Sequence, residues 1–339
     1  MKSNEIYEKH NCANRADCVQ PIQYPLTSEG YAHSINPECG EMILSHLQTY
    51  GLVVVPVLSG SECTETLQAF FKESNVQQRP VATEKLSLDP RTWGSTNWPN
   101  KSHFLVRRRP TISLEATLVR THPVIHRVFA AIFGTDQLQT SIDRWGVMRG
   151  TVNIPTRQGD GTIVPQDHPE WRQNLRLHWD MNPWAYINTQ ESMQKQRYQA
   201  LVDILDSPID VGGFRAVPGS HLHYLEQWAK RHDKPKDYNM TSYRSVKILD
   251  DDPMQHLSQK IPIKAGDMLI FDSRLLHGTF PNHSPSMRLV QYVRMMPSDW
   301  AKSDVFSAEN VLGRHPNWRD RLNSYGLSER ERRLLNLIL

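Results

Sequence analysis

Helical spacing governs the first part of the chain, and short β-like runs broken by glycine and proline govern the part after Gly134. Met42, Ile43 and Leu47 keep a helical period within 37–50. Gly51 then opens a continuous apolar run, Leu52-Val53-Val54-Val55, of the kind a buried strand carries. Ser59-Gly60-Ser61-Glu62 has capping-box spacing ahead of Leu67, Phe70 and Phe71 and predicts a second helix. Thr121 with Pro123 opens a third over Val124, Ile125, Val128, Phe129 and Ile132. Between 75 and 110 the composition turns polar around Trp93 and Trp98, which reads as a long loop with the reach of a lid.

Strands are expected at 145–152, 175–180, 185–188, 200–205, 214–217, 261–263, 268–271 and 289–295. So many short strands with turn residues between them predict a mainly β protein with flanking helices and a jelly-roll (cupin-like) or related sandwich core, not a parallel sheet. The expected organisation is a loosely ordered arm over 1–30 and one domain over 31–339. Within that domain, 37–134 is helical and about 144–297 forms the jelly-roll core, with an insertion at 222–252. A helical segment, 300–339, follows. It ends on Ser328-Glu329-Arg330-Glu331 and Leu334, Leu335 and Leu337, a capped amphipathic helix that should pack on the sandwich.

Composition narrows the class of function. A hydrophobic fraction of 38% with 22% charged residues belongs to a soluble globular chain able to bury a core. The net charge of +3 is too mild to demand a nucleic-acid partner, and Arg107, Arg108 and Arg109, the densest basic run, read as a solvated surface. Cys12, Cys18, Cys39 and Cys63 show no C-x-x-C spacing and fit a reduced intracellular protein. The N-terminus lacks the apolar stretch of a signal peptide, and no run is long enough to cross a bilayer, so a cytoplasmic location is expected. Oligomeric state leaves no mark on the sequence.

Fifteen histidines make about one His-x-Asp or His-x-Glu expected by chance, and two occur: His178-Trp179-Asp180 and His168-Pro169-Glu170. On a strand, residues i and i+2 share a face with Cα atoms roughly 6.6 Å apart, close enough to converge on one ion. His178 and Asp180 end the alternating run Leu175-Arg176-Leu177, whereas Pro169 interrupts the ladder for the other pair. His277 follows a turn and a buried strand, Gly266 to Asp272, and sits where that strand leaves the core. Alone it would read as a strand-end cap. With His178 and Asp180 it completes two histidines and a carboxylate, a set that suits a divalent iron held on one face with open positions opposite.

Arg288, eleven residues beyond His277, begins the last strand, where Leu289, Val290 and Val293 supply core area. An arginine there grips a carboxylate through two parallel hydrogen bonds, as a dicarboxylate cosubstrate needs; the plainer alternative is a surface salt bridge. Arg294 points the same way if no bulge intervenes and is a candidate for an acidic substrate group. Trp179 and Trp184 flank the dyad as pocket walls or as core, and Arg215 either meets the substrate or pairs across the sheet.

These residues, with Gly212-Gly213-Phe214-Arg215-Ala216-Val217-Pro218-Gly219-Ser220-His221, resemble the phytanoyl-CoA dioxygenase-like branch of the iron(II)/2-oxoglutarate-dependent oxygenases. The Pro-Gly-Ser-His turn is the most specific piece. It is similar to the branch's Asn-Gly-x-Leu-Arg-Val-x-Pro-Gly-Ser-His and falls in the right order between the dyad and the distal histidine. The Gly266–Asp272 run and the segment Tyr50 to Pro56 resemble the family too, so the likeness spans about 40 to 297 with long unmatched stretches.

The resemblance implies a double-stranded β-helix core and Fe(II) on His178, Asp180 and His277. It also implies the distal carboxylate of 2-oxoglutarate on Arg288 with Thr279 assisting, and the use of O2 with release of succinate and CO2. Gly212-Gly213 departs from the family's Asn-Gly, and no residue matches the other end of the cosubstrate. Asp180 is retained where related halogenases carry a small residue, which favours hydroxylation, desaturation or oxidative cyclisation over halogenation. The excess of arginines near the expected barrel mouth points to a small, carboxylated substrate, with natural-product biosynthesis as the expected setting. A nucleic-acid demethylase of the same superfamily and a non-catalytic jelly-roll binding protein are the competing readings.

Overall fold

The computed structural model describes residues 22–76, 84–100, 104–106, 110–188, 198–234 and 245–338. Helices α1 (Gly40–Tyr50), α2 (Gly60–Val76), α3 (Leu114–Arg120) and α4 (Pro123–Phe133) come early, with α5 (Pro183–Asn188) and α6 (Tyr224–Arg231) between strands. The strands run β1 (Leu52–Pro56), β2 (Leu138–Thr140), β3 (Trp145–Met148), β4 (Ile154–Arg157), β5 (Ile163–Gln166), β6 (Leu175–Trp179) and β7 (Tyr198–Asp203). They continue as β8 (Gly213–Ala216), β9 (Val246–Lys247), β10 (Gln259–Lys260), β11 (Asp267–Asp272), β12 (His277–Phe280), β13 (Arg288–Val293) and β14 (Met295–Pro297).

Two five-stranded antiparallel sheets, ordered β1-β11-β7-β13-β3 and β10-β8-β12-β6-β9, face one another in an open jelly-roll arrangement. The first sheet is buried on both faces, which is why its strands read as continuous apolar runs. Val53, Val55, Val202, Met268, Ile270 and Leu289 join Ile43, Phe70, Ile125 and Phe129 beneath the helices. Their alternate neighbours Leu52, Val54, Leu201, Leu269, Phe271 and Val290 meet Phe214 and Ala216 of the second sheet. The second sheet's outer face packs Leu177, Trp179, Val217 and Leu276 against Tyr224, Leu225 and Trp228 of α6 and Trp184 of α5. Strand parity thus decides what remains to point between the sheets.

Local signals explain several boundaries. The Ser59 amide donates to Glu62 Oε2 at 2.8 Å and the Glu62 amide to Ser59 Oγ at 3.3 Å, the capping box that starts α2. Gly51, at φ 75°, closes α1 in the left-handed conformation and turns the chain into β1. Ser328 and Glu331 form the second capping box, and Leu334 behind it packs into the helix-side core of the first sheet. Among the described residues no helix is long and apolar enough to cross a membrane.

Other expectations need correction. Residues 185–188 are not a strand but the end of α5, because Asn182 Oδ1 accepts the Ala185 amide and Pro183 starts the helix. The strand expected at 261–263 lies one step earlier, at Gln259–Lys260, and Ile263 keeps only an isolated bridge to Ser207. His122, not Thr121, caps α4, its Nδ1 accepting the Val124 amide. Helix α3, the β4–β5 hairpin and the short strands β2, β9 and β12 were not foreseen, being too short or too polar for a period to show. The supposed arm is anchored from its end: buried Tyr24 donates its hydroxyl to the His33 carbonyl and accepts the Val54 amide, each at 3.1 Å. Residues 1–21 lie outside the described set, as do Arg107, Arg108 and Arg109. The described parts of 75–110 are no free lid, since Trp93 and Trp98 are core residues and Phe104–Val106 adds backbone hydrogen bonds to β3.

Ile270, fully buried in the interior strand β11, tests this two-sided packing. Ile270→Ala should destabilise the protein by about 2–5 kcal/mol in urea unfolding; a loss below about 1 kcal/mol would contradict a close-packed helix–sheet layer there.

Candidate active site

His178 on β6 and His277 on β12 are directly paired across the second sheet. Leu177, Trp179 and Leu276 turn outward into the aromatic layer, so the histidines turn inward, their ring centroids 4.5 Å apart. Asp180, just past the end of β6, lies 3.3 Å by Oδ1 from His178 Nε2 and 3.6 Å by Oδ2 from His277 Nε2. One ligand atom from each of the three falls within 4.8 Å of the others, an arrangement that, among the described residues, no other group of histidine, cysteine and acidic side chains matches.

The histidines are oriented from behind. His178 Nδ1 donates to the Arg176 carbonyl at 2.8 Å and His277 Nδ1 to the Leu275 carbonyl at 2.9 Å. That fixes the proton on Nδ1 and leaves each Nε2 lone pair aimed at the common centre. Phe271 and Phe214 hold the His277 ring, with centroids at 4.6 and 5.8 Å. Burial, then the neighbouring His178, push the His277 imidazole below its ordinary pKa and favour the neutral ligand form. Burial opposes the Asp180 charge, but when His178 and His277 are protonated their contacts outweigh it and hold the carboxyl well below the carboxylate range. Two neutral nitrogens and one anionic oxygen on a single face fit a divalent iron.

The Pro-Gly-Ser-His turn sets this geometry from outside the site. Ser220 Oγ accepts the Leu276 amide at 3.0 Å, the residue before His277, while the Gly219 amide donates to the Tyr50 carbonyl and His221 Nε2 meets the Gln48 carbonyl. The end of α1 and the start of β12 are thereby tied together. Gly278 is required for the pairing itself, because a Cβ there would sit 2.5 Å from the Leu175 carbonyl oxygen.

A cavity of about 470 Å³ opens from the three ligands between the sheets. Arg288 and Arg294 both line it, at the two ends of β13 and roughly 20 Å apart along the strand. Arg288 is 2% exposed, its Nε lies 3.2 Å from Asp203 Oδ1, and its Nη2 has no hydrogen-bond partner. Thr279 lies on the wall between His277 and Arg288. At the other end Arg294 pairs with Asp304 at 2.8 Å and Arg144 with Asp143 at 3.0 Å, both guanidinium groups approaching Phe306.

Other candidates fall elsewhere. Arg215 turns away from the cavity, stacking on Phe280 at 4.9 Å. Trp184 and Trp179 belong to the outer aromatic layer, Trp184 donating to the His232 carbonyl at 2.8 Å. The second dyad is spent on structure: His168 meets Glu170 and Thr156, each at 2.8 Å, and stacks on Trp171. Sequence reasoning missed Gln199, whose buried, unpartnered amide nitrogen belongs to a cavity-lining residue, and Lys247, paired with His178 at the sheet edge. A lone glutamine and a lysine in a polar stretch carry no motif.

The family model for phytanoyl-CoA dioxygenase (PhyH) matches residues 47–290. The chain belongs to this family. As a PhyH protein it is a 2-oxoglutarate-dependent dioxygenase. A Dictyostelium discoideum relative described as "Putative phytanoyl-CoA dioxygenase" is 22% identical over 321 residues, 86% of this chain and 85% of that protein. Among solved structures, GlcNAc Inducible Gene 2 (GIG2, DUF1479) from Candida albicans shares the fold, with a TM-score of 0.62 at 11% identity over 89% of this chain and 78% of its own. The epimerase SnoN, crystallised with Fe3+, alpha-ketoglutarate and nogalamycin RO, is similar at a TM-score of 0.48 and 18% identity, covering 77% of this chain and 85% of SnoN.

In this PhyH site His178→Ala should weaken binding of Mn(II), used as a redox-silent probe, roughly 100-fold or more in calorimetry. Gly278→Ala, which replaces no ligand, should cost roughly tenfold by parting β6 from β12; undiminished binding in both variants would remove these strands from the metal site.

Proposed function

We propose that His178, Asp180 and His277 hold Fe(II), that Arg288 with Thr279 receives the distal carboxylate of 2-oxoglutarate, and that the enzyme oxidises a C–H bond of a small, carboxylated molecule. Hydroxylation, desaturation and oxidative cyclisation are the outcomes in scope, and natural-product biosynthesis is the setting that fits. The observation carrying this reading is the shared cavity: three converging donors at its wall and, beyond Thr279, a buried guanidinium with an unpartnered nitrogen. When bound, the iron and 2-oxoglutarate together supply the oxidising power, with O2 as oxidant and succinate and CO2 released.

The chain's own residues do the rest. The three ligands occupy one face and leave the cavity side open. Phe104, Leu105, Phe214, Phe271 and Tyr292 wall that space and limit water around the reacting carbon. A substrate carboxylate is met at the far end by Arg294 and Arg144, with Lys247 on the sheet edge beside His178 as a further cation on the wall. Both arginines already face aspartates, so they orient a flexible anion more than they trap it, and the apolar walls supply much of the affinity.

Anaerobic Fe(II) followed by 2-oxoglutarate should give a visible charge-transfer band; its absence would sink the reading. Arg288→Ala should raise the 2-oxoglutarate Kd about 100-fold, the scale of a lost charge-assisted hydrogen-bond pair. Succinate release measured across acids, amines and acyl-CoA esters then identifies the substrate class, with Arg294→Ala expected to raise KM for carboxylated substrates and leave uncharged analogues little changed.

A further inference from the structure

The end of the inter-sheet space that holds Arg288 also holds two charges the metal centre does not use. Asp203, fully buried on β7, faces Arg288 Nε at 3.2 Å, and neither of its oxygens receives a well-directed hydrogen bond. Lys260, half-buried on β10 of the facing sheet, donates from Nζ to Ser207 Oγ at 2.8 Å. Between them lies Gly213. A Cβ there would stand 2.6 Å from Arg288 Nε and 2.6 Å from Lys260 Nζ, so the two cationic groups come within about 5 Å of each other. Its φ of +151° likewise belongs to glycine.

In contact with one another are two cations and one carboxylate, with Asp210 acting on Lys260 and Asp206 on Asp203 from farther off, so the contact cluster itself carries one positive charge in excess while Lys260 is protonated. Burial raises the pKa of Asp203 and, with Arg288 beside it, lowers that of Lys260 to about 7; a proton passed from Lys260 to Asp203 leaves the sum unchanged, whereas one lost from Lys260 to solvent removes the excess, and a bound carboxylate favours keeping it. An excess charge walled in by two sheets is unfavourable without a counter-ion. Arg288 and Asp203 alone would form a neutral pair with no call for another anion.

We propose that Lys260 is a positioning residue for the cosubstrate: by offsetting Asp203 it leaves Arg288 one net positive charge for the distal carboxylate of 2-oxoglutarate. The proposal rests on the assignment of Arg288 to that carboxylate. Lys260 acts through charge balance across Gly213; the carboxylate itself binds on Arg288.

The test is calorimetric titration of the full-length, Mn(II)-loaded protein with 2-oxoglutarate, supported by thermal unfolding of each variant. Lys260→Met should raise the Kd roughly 10- to 100-fold, while Lys260→Arg should stay within about threefold of the unaltered protein. Asp203→Asn added to Lys260→Met restores the single excess charge and should recover most of the lost affinity. A packing role for Lys260 would show no such recovery. Unchanged affinity in Lys260→Met, or a double variant no tighter than Lys260→Met, overturns the proposal. If Lys260→Met does not fold, Lys260→Gln takes its place in the same cycle. Failure of the unaltered protein to bind 2-oxoglutarate would overturn the Arg288 assignment and this inference with it, whereas normal binding with an indifferent Lys260 would overturn this inference alone.

Discussion

The register between β6 and β12 is the constraint from which the site follows. His178 opposes His277, and from that pair the strand alternation turns Leu177, Trp179 and Leu276 outward and the imidazoles inward, while a register shift before the Thr279–Leu175 pair returns Leu175 to the cavity wall. A slip by one residue would drive Trp179 between the sheets and carry the histidines into the aromatic layer. Burial of Trp179 against Tyr224 and Trp228 therefore works against that slip.

The two sheets divide the labour. The first is buried on both faces and supplies a stiff floor, from which Arg288, Val290 and Tyr292 rise on the inner side of β13. The second carries the ligands and is held at its most sensitive point by Ser220 on the Leu276 amide. Rigid support on one side and a clamp beside the ligand strand on the other keep three donors together before any ion binds.

Much of this was legible in the residues. Both capping boxes and the jelly-roll class rest on period, spacing and local chemistry; His178, Asp180, His277 and Arg288 were singled out by strand context together with the resemblance to the family, since the two histidines lie far apart along the chain. Trp184 and Arg215 could not be placed that way, because the turn of a residue away from the cavity depends on a partner strand or helix far along the chain. Residues 185–188 show the limit plainly: an apolar run of four suits strand or helix alike, and Asn182 with Pro183 decides it. Lys260 and Asp203 were silent because their meaning lies in each other, from strands paired with different sheets.

Gly213 shows what a missing side chain can do for a binding site. It is the second glycine of the Gly212-Gly213 pair, where the resemblance to the family's Asn-Gly holds at one position and lapses at the other. By contributing no volume, it lets charge from opposite sheets share one small space. Any side chain at 213 would act as an insulator between Lys260 and Arg288, separating electrically two parts of the molecule that the backbone itself never joins.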